Sequence, residues 1–250
     1  MIKIVRSFDR IFVRGDTHGN FDFLSDFCRE NNTSVRDLLI ILGDAGINYY
    51  GPTQKKEMKL KSFLREQPIN IFCVRGNHED RPEDRPEYSL KDVGVGEMVY
   101  TNEWVPNVWF AKDGGEYQLN EYSCLVVGGA YSIDKFYRMA NGWKWVANEQ
   151  LSSEERAAVL DTCYRKHYHH IFTHTCPIQW EPTDLFIRGI DQNTVDKTME
   201  RHLADVERYC EYDHWWFGHY HADRMDCIGD GKVHMLSEQI IEIKDGAFVE

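Results

Sequence analysis

The chain has 250 residues, of which 42% are hydrophobic, and this is enough to bury a large core in one sizeable domain spanning residues 1–250. Its formal net charge of −12 at pH 7 disfavours a protein that holds a nucleic-acid backbone on a broad basic face. Bound divalent cations would oppose that charge locally, so a nucleic-acid substrate is disfavoured and not excluded.

Two strand–helix–strand units are predicted in the first third of the chain. Residues 11–14 and 38–42 are apolar runs of strand length, and apolar residues recur at helical spacing across 21–28. A second unit follows, with a helix over 55–65 and a strand over 69–74. Because ligands in open α/β sheets bind beyond the carboxyl ends of the strands, we expect the polar motifs after these strands to meet at one edge.

The middle of the chain predicts a second sheet. From about Val99 the pattern changes to short strand-like pieces at 108–110, 116–119 and 124–127. Asp113-Gly114-Gly115, between the first two of these pieces, is typical of a hairpin turn.

The last hundred residues alternate again between helix and strand patterns. Ser152-Ser153-Glu154-Glu155 matches the Ser-x-x-Glu capping box and predicts a helix that runs to about Lys166. Histidines 167, 169 and 170 are interpreted as residues near that helix C-terminus, with a metal site as the alternative. The remaining predicted elements are a strand at 170–173, a helix at 195–209, and strands at 215–217, 233–236 and 239–243, the last two around a turn at Ser237-Glu238.

One four-residue sequence is repeated in tandem. Glu79-Asp80-Arg81-Pro82 is followed directly by Glu83-Asp84-Arg85-Pro86, and the prolines prevent a helix there. We interpret the repeat as a solvated, charge-balanced loop. The alternative is that Arg81 or Arg85 reaches a substrate phosphate.

Metal-type side chains recur in five short motifs, four of which contain glycine, and each motif lies beside an apolar run. Aspartate, histidine and asparagine supply the oxygen and imidazole ligands that hold Mn, Fe or Zn, and no thiolate is among them. A single Asp-x-His or His-x-His would be weak support, but the ordered set is specific. The motifs are Gly15-Asp16-Thr17-His18-Gly19, Gly43-Asp44, Gly76-Asn77-His78-Glu79, Thr173-His174 and Gly218-His219-Tyr220-His221.

In residue type and order, these motifs resemble the calcineurin-like metallophosphoesterases. The resemblance covers the chain from Asp16 to His221 and implies a four-layer αββα sandwich. It also implies two divalent metal ions, with Mn favoured over Fe or Zn. The first metal would be held by Asp16, His18, Asp44 and His221, and the second by Asp44, Asn77, His174 and His219.

The resemblance also implies a mechanism. A bridging Asp44 carboxylate would relieve the repulsion between the two metals, and a hydroxide shared by them would attack phosphorus. His78 would protonate the leaving alkoxide as a general acid, and Arg75 is a candidate contact for the phosphate.

The second motif departs from the related Ser/Thr protein phosphatases, which carry Gly-Asp-x-x-Asp-Arg-Gly. In this chain Ile47 and Asn48 stand at the positions of the second acid and the arginine. This difference weakens a protein-phosphatase assignment and leaves open which group orients His78.

The segments 128–135 and 177–191 are expected to border the cleft. Tyr131, Arg138, Trp180 and Arg188 lie in or beside them and are given no assigned role.

The residues and the resemblance together predict a dinuclear-metal phosphoesterase, most plausibly a phosphomonoesterase. The alternatives are a phosphodiesterase acting on cyclic or oligo-nucleotides, and an inactive scaffold with the same fold. The expected substrate is a phosphorylated small molecule, a nucleotide or a phosphoprotein.

A cytoplasmic location is expected from the cysteines and from the start of the chain. The seven cysteines are odd in number and lack the spacing of a zinc ribbon or a redox motif. Residues 1–6 lack the apolar stretch of a secretory signal, and no run is long enough to span a membrane.

Overall fold

Two β-sheets stack against each other at the centre of the molecule. The computed structural model of the protein describes residues 5–228 and 232–244, apart from the side chains of 226–228, so the predicted features at residues 1–4 lie outside the described part. The strands are β1 (Arg10–Arg14), β2 (Asp37–Ile41), β3 (Asn70–Cys73), β4 (Tyr88–Lys91), β5 (Val99–Asn102), β6 (Val105–Phe110), β7 (Gly115–Leu119), β8 (Tyr122–Val127), β9 (His167–Thr173), β10 (Glu211–Phe217), β11 (Arg224–Ile228), β12 (Val233–Met235) and β13 (Ile240–Ile243). The helices are α1 (Asp22–Glu30), α2 (Lys55–Arg65), α3 (Lys135–Ala140), α4 (Ser153–Cys163) and α5 (Thr198–Tyr209).

Each sheet has parallel strands at its centre. The first sheet has the order β13-β1-β2-β3-β6-β5-β4, and the second has the order β11-β12-β10-β9-β8-β7. Strands β1, β2, β3 and β6 pair in parallel, as do β8, β9, β10 and β12. The two predicted strand–helix–strand units, β1-α1-β2 and β2-α2-β3, are therefore confirmed.

Three apolar cores divide the molecule into four layers. Trp109 of the first sheet and Trp216 of the second belong to the central core between the sheets. Leu24 and Leu64, from α1 and α2, cover the outer face of the first sheet, and Leu203 of α5 packs with α4 on the outer face of the second. The α/β class and the αββα layering predicted for the chain are confirmed.

Two predicted turns cross between the sheets instead of closing hairpins. Asp113-Gly114-Gly115 leads from β6 in the first sheet to β7 in the second, so the hairpin prediction is wrong. The turn at Ser237-Glu238 likewise leads from β12 back to β13, beside β1. Local turn chemistry at Gly114, where φ is +72°, is the same for a crossing as for a hairpin.

Helix α4 begins with the predicted capping box. The Ser152 side chain accepts a hydrogen bond from the Glu155 backbone N–H, and the Glu155 side chain accepts one from the Ser152 N–H. The helix ends at Cys163, so the prediction that His167 and His170 lie near its C-terminus is wrong. Both are in strand β9, where Trp216 Nε1 donates to His170 Nδ1 at 3.1 Å.

Burial of the cysteines agrees with the prediction wherever their side chains are described. Six are free and buried, and the seventh, Cys227, lies in the stretch whose side chains are not described. Within residues 5–228 and 232–244, no helix is both long and apolar enough to cross a membrane.

The two arginines of the tandem repeat are buried and form ion pairs, whereas Glu83 and Asp84 between them are exposed. Arg81 donates to Glu155 of α4 at 2.6 Å, and Arg85 pairs with Glu57 of α2. Both arginine side chains are about 5% exposed, and neither lines the cleft described below. The solvated-loop interpretation therefore holds only for Glu83 and Asp84, and the phosphate interpretation is wrong, because each arginine pairs with a carboxylate of a helix away from the cleft.

Replacement of Arg85 by Met should lower the free energy of unfolding by about 2 kcal/mol, because the buried Glu57 carboxylate would lose a charged donor and keep Lys61 as its cation. The matched control is Arg36→Met, which breaks an exposed pair with Asp9 and should cost about 0.5 kcal/mol or less. Urea unfolding of both variants measures the difference. Equal losses would show that the Arg85 pair has no special weight.

Candidate metal centre

All five polar motifs lie at one edge of the sandwich, where parallel strands of both sheets end. Asp16, Asp44 and Asn77 follow β1, β2 and β3 of the first sheet, whereas His174 and His219 follow β9 and β10 of the second. The His219 N–H donates to Asp16 Oδ1 at 2.8 Å and thereby joins the loops of the two sheets. The predicted meeting of the motifs at one edge is what the structure shows.

Glycine is required where these loops approach each other. A Cβ atom on Gly43, where φ is +94°, would lie 2.1 Å from His174 Nδ1. A Cβ atom on Gly76 would lie 1.9 Å from Asp44 Oδ1. The glycines of the motifs therefore bring ligand-bearing loops into direct contact.

Four of the predicted ligands have left-handed backbone conformations. The φ angles are +47° at His18, +43° at Asp44, +69° at His219 and +52° at His221. Non-glycine residues in this region cost free energy and are concentrated at functional sites.

A first ligand group converges on Asp16. Its Oδ2 atom lies 3.7 Å from His18 Nε2 and 3.4 Å from His221 Nε2, and the two imidazole nitrogens are 2.9 Å apart. Asp16 Oδ2 is buried and has no hydrogen-bond partner in the described part of the chain. An unsatisfied buried carboxylate oxygen that faces two imidazole nitrogens fits a divalent metal.

A second group converges on Asp44. Its Oδ2 atom lies 3.6 Å from His174 Nε2, which is itself 2.7 Å from Asn77 Oδ1. The same Asp44 oxygen lies 3.8 Å from His18 Nδ1 and so stands between the two groups. His219 completes the cluster, with its ring centre 5.0 Å from that of His174. The structure thus brings together all seven predicted ligands.

The electrostatics of the site favour bound cations. Burial alone would raise the pKa of Asp44, but His174 and its neighbours hold it well below the usual range. Burial alone would lower the pKa of His174, yet the carboxylates of Asp44 and Asp16 raise it to about 9. A proton held between buried carboxylates occupies a position that a metal ion can take, with release of the proton.

Further hydrogen bonds orient the ligands. His174 Nδ1 lies 2.8 Å from the Leu42 carbonyl oxygen, which directs Nε2 toward the cluster. Asp44 Oδ1 accepts from the backbone N–H groups of Asn77 and His78, at 2.8 and 2.9 Å. These bonds leave Asp44 Oδ2 directed at the cluster.

The orientation of Asn77 depends on residues that the sequence did not identify. Asn77 Nδ2 donates to Ser132 Oγ at 2.8 Å, which turns the Asn77 carbonyl oxygen toward His174. Ser132 Oγ in turn donates to Glu149 Oε2 at 2.5 Å. Ser132 lies in the glycine-rich segment expected near the cleft, whereas nothing local in the sequence indicates Glu149.

His78 stands beside the ligand cluster. Its Nε2 atom is 3.9 Å from Asp44 Oδ2, and its side chain lines the cleft. Burial lowers the pKa of its imidazole, an effect that the Asp44 carboxylate opposes. Ile47 and Asn48, which replace the second acid and the arginine of the protein phosphatases, are fully buried and do not line the cleft.

Arg75 is directed away from the cleft. Its Nε donates to Asp113 Oδ2 at 2.7 Å, and its Nη1 donates to the Glu149 carbonyl oxygen at 2.7 Å. The residue is 3% exposed and is not among those that line the cleft. This geometry gives Arg75 a role in packing and does not support the expected phosphate contact.

The metal-ligand edge opens into a cleft of about 460 Å³. The ligands and His78 form one wall, and residues from segments 131–138 and 181–200 form the other. Of the residues singled out in these segments, Tyr131 and Arg138 line the cleft, whereas Trp180 is buried against Trp215.

Comparison with known proteins assigns the family. The family described as calcineurin-like phosphoesterase matches residues 9–223. The chain belongs to this family. No curated protein matches the chain. A search of solved structures finds similarity to a cold-active protein-tyrosine phosphatase of a psychrophilic Shewanella species, with 12% identity, coverage of 99% of this chain and 79% of that one, and a TM-score of 0.38.

Membership of the calcineurin-like phosphoesterases agrees with the chemistry of the site. Membership of this family supports metal-dependent hydrolysis of phosphoesters as the general activity. The described residues include two groups able to hold a metal. Asp16 with His18 and His221 forms one group, and Asp16 with Asp44 and His174 forms the other. Within each group the ligand atoms lie within 4.8 Å of one another. Two carboxylates thus lie among three imidazoles at distances that suit shared metal ligands.

Replacement of Asp44 by Asn should lower the occupancy of two metal sites together, because Asp44 Oδ2 lies between His18 and His174. Elemental analysis of Mn-loaded protein after gel filtration measures the metal content. The control is Asp113→Asn, which affects a carboxylate bonded to Arg75 outside the cleft and should retain the wild-type metal content. Loss of one equivalent in Asp44→Asn, with the other retained, would contradict a shared ligand.

Proposed function

We propose that the protein is a phosphomonoesterase that uses two divalent metal ions, with manganese favoured. The observation that carries this proposal is the convergence of seven oxygen and imidazole ligands, two of them buried carboxylates, with His78 and Arg138 on the same cleft. We extend the proposal to a phosphorylated small molecule, nucleotide or phosphoprotein as substrate, and to a cytoplasmic location.

The proposed ligands divide into two sets that share Asp44. The first set is Asp16, His18, Asp44 and His221, and the second is Asp44, Asn77, His174 and His219. When bound, the metals supply a nucleophile from water near neutral pH and neutralise the phosphoryl oxygens. The neutral carbonyl of Asn77 limits the negative charge of the site, so the pair of metals keeps its affinity for a phosphate.

His78 is the proposed general acid. Its backbone N–H is bonded to Asp44 Oδ1, so the residue is fixed relative to the ligand cluster while its imidazole faces the cleft. An imidazole at this place can donate a proton to the leaving alkoxide, a contribution of about 10²–10⁴ in rate.

Arg138 supplies the positive charge expected of a monoesterase. Its Nε donates to Asp134 Oδ2 at 2.7 Å, and within the described part of the chain Nη1 has only distant contacts of 3.5 Å, with Tyr49 Oη and the Lys144 carbonyl oxygen. The guanidinium thus lines the cleft with donating capacity left over. A terminal phosphoryl group carries more negative charge than a diester, so this cation favours monoesters.

A phosphodiesterase is the second candidate function. His18 and His221 line not only the cleft but also a more open depression of about 650 Å³ on their other side. A second ester arm could occupy that depression. An inactive scaffold has less support, because the described ligand set is complete.

The proposal is tested with Mn-loaded protein on 4-nitrophenyl phosphate and bis(4-nitrophenyl) phosphate. We expect a kcat/KM at least tenfold higher for the monoester. A preference for the diester would make the phosphodiesterase the better assignment. If neither substrate is hydrolysed by folded protein that contains two equivalents of metal, the enzymatic proposal fails and the scaffold gains.

His78→Asn should reduce kcat about 10²-fold for alkyl phosphates but much less for 4-nitrophenyl phosphate, because nitrophenolate leaves without a proton. Metal content should stay at the wild-type value, since Asn77 and the other ligands are unchanged. Parallel assays with ethyl phosphate and 4-nitrophenyl phosphate measure the dependence on the leaving group. An equal loss for both esters would remove the acid role.

A further inference from the structure

One buried carboxylate on the cleft wall has an oxygen without a partner. Glu200 of α5 is 4% exposed and lines the cleft. Its Oε1 atom accepts from Thr175 Oγ1 at 2.9 Å, whereas Oε2 is buried and has no hydrogen-bond partner among residues 5–228 and 232–244. Lys197, three residues before Glu200, pairs with Glu181 instead, at 2.6 Å. A buried acceptor of this kind costs free energy until a donor reaches it.

Neighbouring hydroxyl groups cannot satisfy that oxygen, because their protons are already directed elsewhere. Thr175 Oγ1 donates to Glu200 Oε1 and so accepts from Tyr220 Oη, which is 3.2 Å away. Tyr220 Oη in turn accepts from Cys176 Sγ at 3.7 Å. The chain of donors ends at Glu200, which leaves Oε2 as an acceptor for a ligand.

Aromatic rings line the same cleft as Glu200. The rings of Phe186 and Tyr220 are nearly parallel, with 23° between their planes and 6.5 Å between their centres. The Tyr220 ring centre is 5.0 Å from that of the proposed ligand His219, so the aromatic wall begins directly beside the metal-ligand cluster. Flat rings are bound on such faces by stacking.

The wall already contains a cation of its own. Lys197 Nζ lies 4.7 Å from the centre of the Phe186 ring and donates to Glu181 Oε1 at 2.6 Å. Lys197 thus already fills a cation position on the Phe186 ring. The wall therefore suits a flat, uncharged ring that carries an N–H donor better than it suits an alkylammonium group.

We propose that Glu200, Tyr220 and Phe186 form a subsite for the base of a nucleoside monophosphate. An amino group of the base donates to Glu200 Oε2, and the flat ring lies against the aromatic side chains. The phosphate end of this ligand rests on the proposed phosphomonoesterase function, whereas the base end does not. A cleft of about 460 Å³ is within the range of volumes that hold ligands of this size.

The first test compares substrates that differ in the donor. Adenosine, guanosine and cytidine 5′-monophosphates carry an amino group on the base, and purine riboside 5′-monophosphate lacks it. Assays at pH 8 keep Glu200 ionised, since burial raises its pKa to about 7. We expect kcat/KM for the best amino-bearing nucleotide to exceed that for purine riboside monophosphate by about 10- to 100-fold.

Variants locate the preference in the subsite. Glu200→Met removes the acceptor at similar length and should reduce that ratio to about 1; if the Met variant does not fold, the Phe186→Ala comparison carries the test. Phe186→Ala, at a partly exposed position, should raise KM about tenfold for nucleotides but not for O-phosphoethanolamine, which has a donor and no ring. The control is Glu207→Gln, two turns farther along α5, which should keep the wild-type ratio.

Binding of adenosine alone separates this proposal from the catalytic one. Adenosine has no phosphate, so calorimetric titration requires no turnover, and we expect binding that Glu200→Met weakens at least tenfold. Such binding in a protein that hydrolyses no phosphoester would support the subsite while the proposed function fails. Hydrolysis of 4-nitrophenyl phosphate without any nucleotide preference, or a preference for O-phosphoethanolamine, would overturn the subsite while the proposed function stands.

Discussion

The burial of two neighbouring carboxylates, those of Asp16 and Asp44, sets the main constraint on this structure. Asp16 ends one strand of the first sheet and Asp44 ends the next, and both side chains are nearly inaccessible to water. Buried anions require compensating positive charge, which the surrounding imidazoles provide only in part. The second sheet must therefore present His174, His219 and His221 at the same edge. The packing of the two sheets fixes their relative position and so the geometry of the metal centre.

Much of the fold and most of the metal centre could be predicted from the sequence, because the determining signals are local. Apolar runs of strand length precede each motif, and glycines mark the places where ligand loops touch, as at Gly43 and Gly76. The capping box of α4 is equally local. What failed depends on tertiary structure. A turn such as that at Gly114 has the same local chemistry whether the chain pairs with the strand it has left or crosses to another sheet. The extent of the single domain and the cytoplasmic location stay predictions.

The roles of the charged residues in and near the cleft could not be predicted from local sequence either, because they also depend on tertiary structure. Arg75 follows a strand and precedes a ligand, yet Asp113 and the Glu149 carbonyl, distant in sequence, hold its guanidinium away from the cleft. Arg138 lies in a segment with no ligand motif, but the fold directs it into the cleft. Glu200 looks like any helical glutamate in the sequence, and only the contact with Thr175 reveals its unsatisfied oxygen. Charged residues take their roles from partners that the fold selects.

The tandem arginines after His78 give the loop of the proposed general acid an unusual attachment. Arg81 is bonded to a helix that covers the second sheet, and Arg85 to a helix that covers the first. The loop that carries the proposed general acid is thus bonded to both halves of the sandwich. Loosening of either outer layer would therefore free one of the two attachments of this loop.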